Sequence, residues 1–291
     1  MRSSIEPTAG NAPFVRGIPG QPAPRLRRLR RHLARAAACL GVLGLAACAG
    51  QPGPTASTDG RVGIDLAEAA LHSGSPAASL RLADQTLAAH PNAPAALMTR
   101  AEALTALGQL DAARTDFKHV LRLHPRTAPA LVGLGRVSLA SDPAAAEAAF
   151  RAALKLTPRN AIAFNDLGIA LDLEGRHAAA EQSYRQALAL QPGMTSAQVN
   201  LALSLAMQGR GSDAIHLLRP LATAPKAGPK LREDYAAVLA MAGKRDRAQQ
   251  ILSTDLPAPE ASAAMNAFEM AAASHGPAPS HAASPPPVKS E

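Results

Sequence analysis

Residues 161–194 read AIAFNDLGIALDLEGRHAAAEQSYRQALALQPGM, and this stretch decides the fold. Its first half spaces apolar side chains such as Leu167 and Leu171 by three and four residues, which places them on one helix face. Gly175 ends this helix, since glycine adopts the left-handed conformation at little cost. A second apolar helix face follows, and Pro192 ends it. The stretch therefore predicts two helices joined by a glycine turn.

The same unit recurs along the chain every 33 or 34 residues. The prolines that end each unit keep this step: Pro91, Pro125, Pro158, Pro192 and Pro225. The aromatic residues of the second helix keep it too: Phe117, Phe150 and Tyr184. A helix–turn–helix unit with a period of about 34 residues resembles the tetratricopeptide repeat. The resemblance implies an all-α, right-handed superhelical solenoid.

About six repeats are expected between residues 60 and 256. Their predicted ranges are 60–93, 94–127, 128–160, 161–194, 195–228 and 229–256. The composition agrees, because 47% of the residues are hydrophobic, yet the chain has no Trp, two Tyr and five Phe. A core of Ala and Leu suits helices that approach closely, whereas the alternating β-branched runs of strands are absent.

The first 47 residues are typical of a bacterial lipoprotein signal peptide. A basic run over 25–35 precedes an apolar stretch over 36–47, which is too short to span a bilayer as a helix. Leu45-Ala46-Ala47-Cys48 resembles a lipobox, which implies cleavage before Cys48 and acylation of its sulfur. Ala49 then implies the outer membrane, at its periplasmic face. The alternative is an ordinary signal peptide in which Cys48 is incidental, and the true start can lie downstream of Met1.

The basic charge of the chain lies mainly in this leader. The full chain carries a net charge of +8, but residues 1–47 contain eight arginines and a single acidic residue, Glu6. Removing them leaves 22 of the 30 basic and 21 of the 22 acidic residues. A nucleic-acid-binding protein needs basic residues clustered on one face, so we predict no nucleic-acid partner.

The two ends of the repeat region have different compositions. Residues 48–59 are rich in Pro, Gly, Ser and Thr, which predicts a flexible tether. Residues 257–291 are rich in Pro, Ala and Ser, which predicts a disordered tail, with a short capping helix around Met265 and Phe268. Pro220 falls inside a predicted second helix and implies either a kink or an early helix end.

No arrangement of residues points to catalysis. The sequence has no Gly-rich phosphate loop, HExxH motif or nucleophile elbow. His90 and His124 precede in-phase prolines, so they lie at equivalent helix ends on different repeats and do not form a metal site. We therefore predict a binding protein that has no enzymatic activity, cofactor or metal.

A protein client is expected on the concave surface, which the first helix of each repeat lines in this architecture. Such a groove suits an extended or helical peptide. Helical spacing from the packed positions predicts ten groove residues: Met98, Glu102, Val132, Arg136, Ile162, Asn165, Ile169, Asp172, Val199 and Leu203. Burial of some of these residues by neighbouring helices or by the tail is the alternative.

The later repeats resemble TadD-type lipoproteins, the tetratricopeptide lipoproteins of the Flp (Tad) pilus assembly system. The similarity covers roughly residues 90–256 and is carried by six stretches: Asn165–Asp172, Gly175–His177, Leu217–Ala222, Leu231-Arg232, Ala236–Gly243 and Asp255-Leu256. It implies a pilotin-like factor that helps a secretin ring to localise or assemble. The alternatives are a pilotin-like lipoprotein of type IV pili, against which the Arg219-Pro220 segment argues, or an adaptor for a periplasmic cell-wall or exopolysaccharide synthase.

Overall fold

The computed structural model describes residues 56–274, with side chains described for 61–270. This part of the chain forms thirteen helices and contains no strand, so the all-α prediction is confirmed. The first helices of the six repeats are α1 (Ala56–His72), α3 (Pro94–Ala106), α5 (Ala128–Ser138), α7 (Ala161–Leu173), α9 (Thr195–Met207) and α11 (Pro229–Met241). The second helices are α2 (Pro76–Ala89), α4 (Leu110–Leu123), α6 (Pro143–Leu156), α8 (His177–Leu190), α10 (Gly211–Ala222) and α12 (Arg245–Leu252), and α13 (Ala258–Ser274) follows.

The described residues divide into two compact units, 56–123 and 124–274. In the first unit, α1 packs against α2 and α3, and α3 packs against α4. In the second unit, α7 packs against α6, α8 and α9, and this pattern repeats for α9 and α11. Helices α1, α7 and α9 thus each contact their own second helix and the first helix of the next repeat, which is how stacked repeats bury a continuous core.

The turn inside the fourth repeat shows why glycine recurs at this position. Gly175 has a φ of 72°, in the left-handed region that other residues rarely adopt. Its N–H donates to the carbonyl of Asp172 at 2.9 Å, and the N–H of Arg176 donates to the carbonyl of Leu171 at 2.9 Å. These two bonds satisfy carbonyls that the end of α7 would otherwise leave unpaired.

A second glycine in the same repeat sets the distance between α7 and α8. A Cβ atom on Gly168 would lie 2.5 Å from the Tyr184 ring, which is too close for a real contact. The ring occupies this space and is 1% exposed. Gly135 and Phe150 repeat the arrangement between α5 and α6. The small residue on the first helix and the aromatic residue on the second therefore fit each other.

The ends of the repeat region differ from the predicted ones. Helix α1 begins at Ala56, inside the predicted 48–59 tether, and α13 spans Ala258–Ser274, inside the predicted 257–291 tail. Helix α13 is longer than a short cap and packs against α11 and α12, where it buries Met265 and Phe268. Burial of these side chains explains why an Ala-rich segment is helical here. Cys48 and the remaining leader and tail residues lie outside the described residues.

Helix α10 resolves the alternatives at Pro220. The helix continues past Pro220 and ends two residues later, at Ala222. It has 12 residues, whereas α4, α6 and α8 have 14 each. Proline lacks an N–H donor, so Pro220 removes one backbone hydrogen bond from the last turn of α10. Early termination is thus the observed outcome.

Candidate client-binding surface

The ten predicted groove residues occupy three environments. Five of them are buried: Val132, Asn165, Ile169, Asp172 and Val199. Three are partly buried: Met98, Arg136 and Leu203. Two are exposed: Glu102 and Ile162. The prediction of solvent-accessible groove positions is therefore wrong for the five buried residues, because neighbouring helices cover them.

Polar side chains on α7 are paired with side chains on α9. The carboxamide nitrogen of Asn200 donates to Oδ1 of Asn165 at 3.0 Å. The hydroxyl of Ser204 donates to Oδ1 of Asp172 at 2.8 Å. Buried polar groups require such partners, since an unpaired one costs about 1–3 kcal/mol. The two bonds join α7 to α9 over much of their length, so this face is a contact between helices.

Asp172 is the centre of a larger buried network. Besides Ser204, it accepts a hydrogen bond from the Tyr184 hydroxyl at 2.9 Å, and its Oδ1 lies 2.8 Å from Nδ1 of His177. Burial, together with the charges of Asp172 and Asp166, raises the pKa of Tyr184 well above its usual range. The phenol therefore stays protonated and donates to the carboxylate. The network stabilises the junction of α7, α8 and α9.

Arg136 and Asn165 are both engaged by Asp166, which was not among the predicted residues. Nε of Arg136 donates to Oδ2 of Asp166 at 2.6 Å. The carboxamide nitrogen of Asn165 donates to Oδ1 of the same carboxylate at 3.2 Å. Asp166 is almost fully buried, and these two donors compensate its charge. Arg136 is therefore held in place by an intramolecular ion pair.

In the unit of residues 56–123, Met98 and Glu102 lie one turn apart on α3. Nearby on the same helix, Arg100 donates to both carboxylate oxygens of Asp116 at 2.7 Å and to Asp84 at 3.2 Å. The hydrogen bonds with Asp116 raise the pKa of Arg100. This arrangement joins α3 to its neighbours α2 and α4.

Ile162 lies in a different environment from the buried groove residues. It is 47% exposed and lines an open depression of about 670 Å³. The other lining residues come from two inter-repeat connections and the adjoining helix ends: Thr157, Pro158, Arg159, Asn160, Ala161, Leu190 and Gln191. We refer to these eight residues as the Ile162 depression.

The polar groups of the Ile162 depression differ in their availability. The Asn160 carboxamide oxygen accepts from the N–H of Ala163 at 3.0 Å and caps α7. The Thr157 hydroxyl donates to the carbonyl of Ala153 at 3.0 Å. Arg159 and Gln191 are exposed, and Arg159 forms no ion pair within residues 61–270. The depression can therefore offer an apolar contact next to a cation and an amide.

Sequence reasoning identified Ile162 but not its surroundings. The period predicted that Ile162 lines the groove, and the structure leaves its side chain 47% exposed. The connections before α7 and α9 were treated only as turns, although Pro158 and Pro192 mark them at the same step. The pairings of Asp166 with Arg136, of Asn200 with Asn165 and of Ser204 with Asp172 were missed because each joins residues 30 or more positions apart.

Two further observations concern the described residues. No helix among them is long and apolar enough to cross a membrane. Within the same residues, no group of three or more His, Cys, Asp or Glu side chains is arranged to hold a metal ion.

Family comparisons agree with the repeat architecture. One tetratricopeptide repeat family matches residues 64–126 and 140–195, and a second family of the same description matches 173–230. Together the matches cover residues 64–126 and 140–230. These two stretches of 63 and 91 residues make up more than half of the 291-residue chain. The chain belongs to the tetratricopeptide repeat family. Proteins of this family are generally non-catalytic scaffolds. In the comparison with curated proteins, no sequence matches significantly.

Solved tetratricopeptide repeat structures are similar to this one. The thermophilic protein TTC0263 from Thermus thermophilus shares 26% identity at a TM-score of 0.54, covering 62% of this chain and 98% of its own. PilW, described as a widely conserved type IV pilus biogenesis factor, shares 21% identity at a TM-score of 0.61, covering 67% and 91%. PilF from Pseudomonas aeruginosa shares 16% identity at 0.56, covering 68% and 90%. Because PilW and PilF share less than 25% identity with this chain, they establish similarity of fold alone.

Proposed function

We propose that this protein is a lipid-anchored scaffold that binds a protein client during assembly of the Flp (Tad) pilus at the outer membrane. Acylation of Cys48 supplies the membrane attachment, and the repeats supply the binding surface. A secretin subunit is the client that the sequence resemblance favours. The protein contributes no reaction of its own in this proposal.

The observation that carries the client-binding part is the exposure of Ile162. Three polar side chains of α7, Asn165, Asp166 and Asp172, are hydrogen-bonded inside the chain. Ile162, in contrast, remains 47% exposed within the depression of about 670 Å³. Burying such a side chain against a partner contributes about 1–2 kcal/mol.

The surroundings of Ile162 suggest what the client segment contains. Arg159 supplies a positive charge and Gln191 a carboxamide that can donate and accept. A segment with one apolar side chain next to an acidic residue would match both groups. In an extended peptide, neighbouring side chains are spaced so that one can contact Ile162 while the other reaches Arg159.

Two findings favour a pilus component as the client. Residues 90–256 resemble the tetratricopeptide lipoproteins of the Flp system, and PilW, which has the same fold, is described as a type IV pilus biogenesis factor. The fold similarity to PilW is equally compatible with the type IV pilus alternative. An adaptor for a periplasmic synthase is the other alternative.

The test is affinity capture of the tagged full chain from its native membranes in mild detergent, with mass spectrometry of the co-purified proteins. We expect a Flp secretin to be captured, and Ile162→Glu to reduce its recovery by about tenfold. Met270→Glu is the matched control, because Met270 is 65% exposed on α13, outside the depression. Capture of a type IV pilus secretin or of a synthase would replace the Flp assignment with that alternative.

The membrane part is tested separately. Cys48→Ser should leave the chain unanchored or uncleaved, so that a carbonate wash releases it or its signal peptide remains. A variant that is still acylated and stays in the membrane after the wash would contradict the lipobox assignment.

In the client-capture experiment, equal loss of the client with Ile162→Glu and Met270→Glu would contradict the proposed binding site at Ile162.

A further inference from the structure

Helix α1 has an uncovered apolar face at the start of the described residues. Val62 is 59% exposed and Leu66 is 55% exposed. In the fourth and fifth repeats the residues at these two positions are buried: Ala163, Leu167, Ala197 and Leu201. In those repeats the second helix of the preceding repeat packs on the first helix, as α6 does on α7. No preceding repeat lies before α1 in the described part of the chain.

The face continues along α1 in a pattern typical of paired helices. Val62, Leu66, Ala69 and Ser73 follow spacings of four, three and four residues, which form a single seam on a helix. All four side chains are exposed. The large residues lie toward the N-terminus of the seam and the small ones toward its C-terminus. Over these 12 residues the seam is about 18 Å long.

We infer that this seam pairs antiparallel with the same seam of a second copy of the chain. The antiparallel arrangement sets Leu66 of one copy against Ala69 of the other, and Val62 against Ser73. Large side chains then fill the spaces above small ones, which a parallel pairing of large against large would not allow. The seam is self-complementary because its large residues lie toward the N-terminus and its small ones toward the C-terminus. In an antiparallel pair, the large residues of each copy therefore face the small residues of the other.

The charged flank of the seam agrees with this arrangement. On one flank, Asp65 of each copy lies near His72 of the other, so like charges do not meet, whereas parallel pairing would set Asp65 against Asp65. Both side chains are exposed, and Nδ1 of His72 is 2.8 Å from the carbonyl of Glu68. The other flank faces α2, since a Cβ atom on Gly63 would lie 2.9 Å from Oγ1 of Thr86.

Two large apolar residues per copy make a small interface, so the pair is weak and reversible. A lipid at Cys48 would strengthen it without new contacts, because chains held on one membrane have a high effective concentration. The pairing itself requires only the seam and does not depend on the proposed lipid or on a client.

Disulfide trapping of the full chain in membranes tests the inference. Two differently tagged chains, one with Leu66→Cys and one with Ala69→Cys, are co-expressed and oxidised briefly. We expect a mixed disulfide to form faster than either homodimer. Chains with Gln182→Cys, an exposed position on α8, measure random collision, and a chain without an introduced cysteine measures the background from Cys39 and Cys48.

A second variant separates pairing from folding. Val62→Glu in both chains should reduce the mixed disulfide about tenfold, since it replaces a buried apolar contact by a carboxylate that has no partner at Ser73 of the other copy. Val62 is exposed in the single chain, so its helical circular dichroism and melting temperature should not change. A yield equal to the Gln182→Cys control, a dominant disulfide between two Leu66→Cys chains, or cross-linking to another protein in place of the mixed dimer would overturn the inference. So would a yield unaffected by Val62→Glu.

Discussion

Ile162 and Ile169 lie seven residues apart on the same face of α7, yet Ile162 is 47% exposed and Ile169 is 2% exposed. Seven residues are nearly two helical turns, so the period of the sequence places both side chains in the same direction. The difference arises outside α7. Ile169 is a buried core residue between Asn165 and Asp172, whose side chains bond to α9, whereas Ile162 lies at the beginning of α7, beside the connections before α7 and α9.

This comparison separates two uses of a repeat surface. Around Ile169 the polar groups of α7 are paired with α9 through Asn200 and Ser204, so this part of the surface holds two repeats together. Around Ile162 the apolar surface and the Arg159 cation remain accessible. One helix therefore contributes its middle to stability and its first turn to a candidate binding site.

The largest expected effect distinguishes the two isoleucines directly. Ile169→Glu should lower the free energy of unfolding by about 4 kcal/mol, because it puts an unpaired carboxylate into the core. Ile162→Glu should change it by less than about 0.5 kcal/mol, since the new charge faces solvent. Chemical denaturation followed by circular dichroism measures both. Similar losses for the two variants would remove the proposed distinction.

A smaller effect is expected from the buried network next to Ile169. Asp172→Ala should cost about 2–3 kcal/mol, because it leaves the Tyr184 and Ser204 hydroxyls without their acceptor. Tyr184→Phe removes only one donor and should cost about 1 kcal/mol. The two variants and their combination are compared by thermal and chemical denaturation. If the costs of the two single variants simply add, the network is not coupled.

The smallest effect is expected at ion pairs that join successive repeats. Glu147 accepts hydrogen bonds from Arg151 at 2.7 Å and from Arg176 at 2.6 Å. Glu181 repeats this arrangement one unit later, with Arg185 at 2.5 Å and Arg210 at 2.8 Å. Arg176→Ala should destabilise the protein by less than about 1 kcal/mol, because the Arg176 side chain is about half exposed and ion pairs with a solvated partner contribute little.

The same variant has a clearer readout in the titration of Glu147. Burial raises the pKa of Glu147, but the hydrogen bonds from Arg151 and Arg176 outweigh it and hold the pKa below its ordinary value of 4.5. Its contribution to stability is therefore present above that value and is lost as the pH falls through the lowered pKa. In Arg176→Ala the pKa should rise, as measured by NMR titration. An unchanged pKa would show that Arg151 alone sets it.

The sequence predicted the fold well because its signals are local and repeated. Gly175 and Pro192 mark the ends of helices, and Gly168 with Tyr184 marks a close contact between two helices of the same repeat. The candidate site was predicted only in part. Periodicity gave the direction of each side chain on α7, but whether another helix lies in that direction depends on residues more than 30 positions away, such as Asn200 and Ser204.

By itself, the sequence determined an all-α chain of tetratricopeptide repeats with glycine turns and proline ends. These features depend on backbone conformations that particular residues favour in any context. The tertiary structure alone decided that Ile169 and Asp172 are core residues, that Ile162 is open, and that Val62 and Leu66 are uncovered. Burial is a property of the neighbours that a side chain meets, and those neighbours are brought together only when the repeats pack.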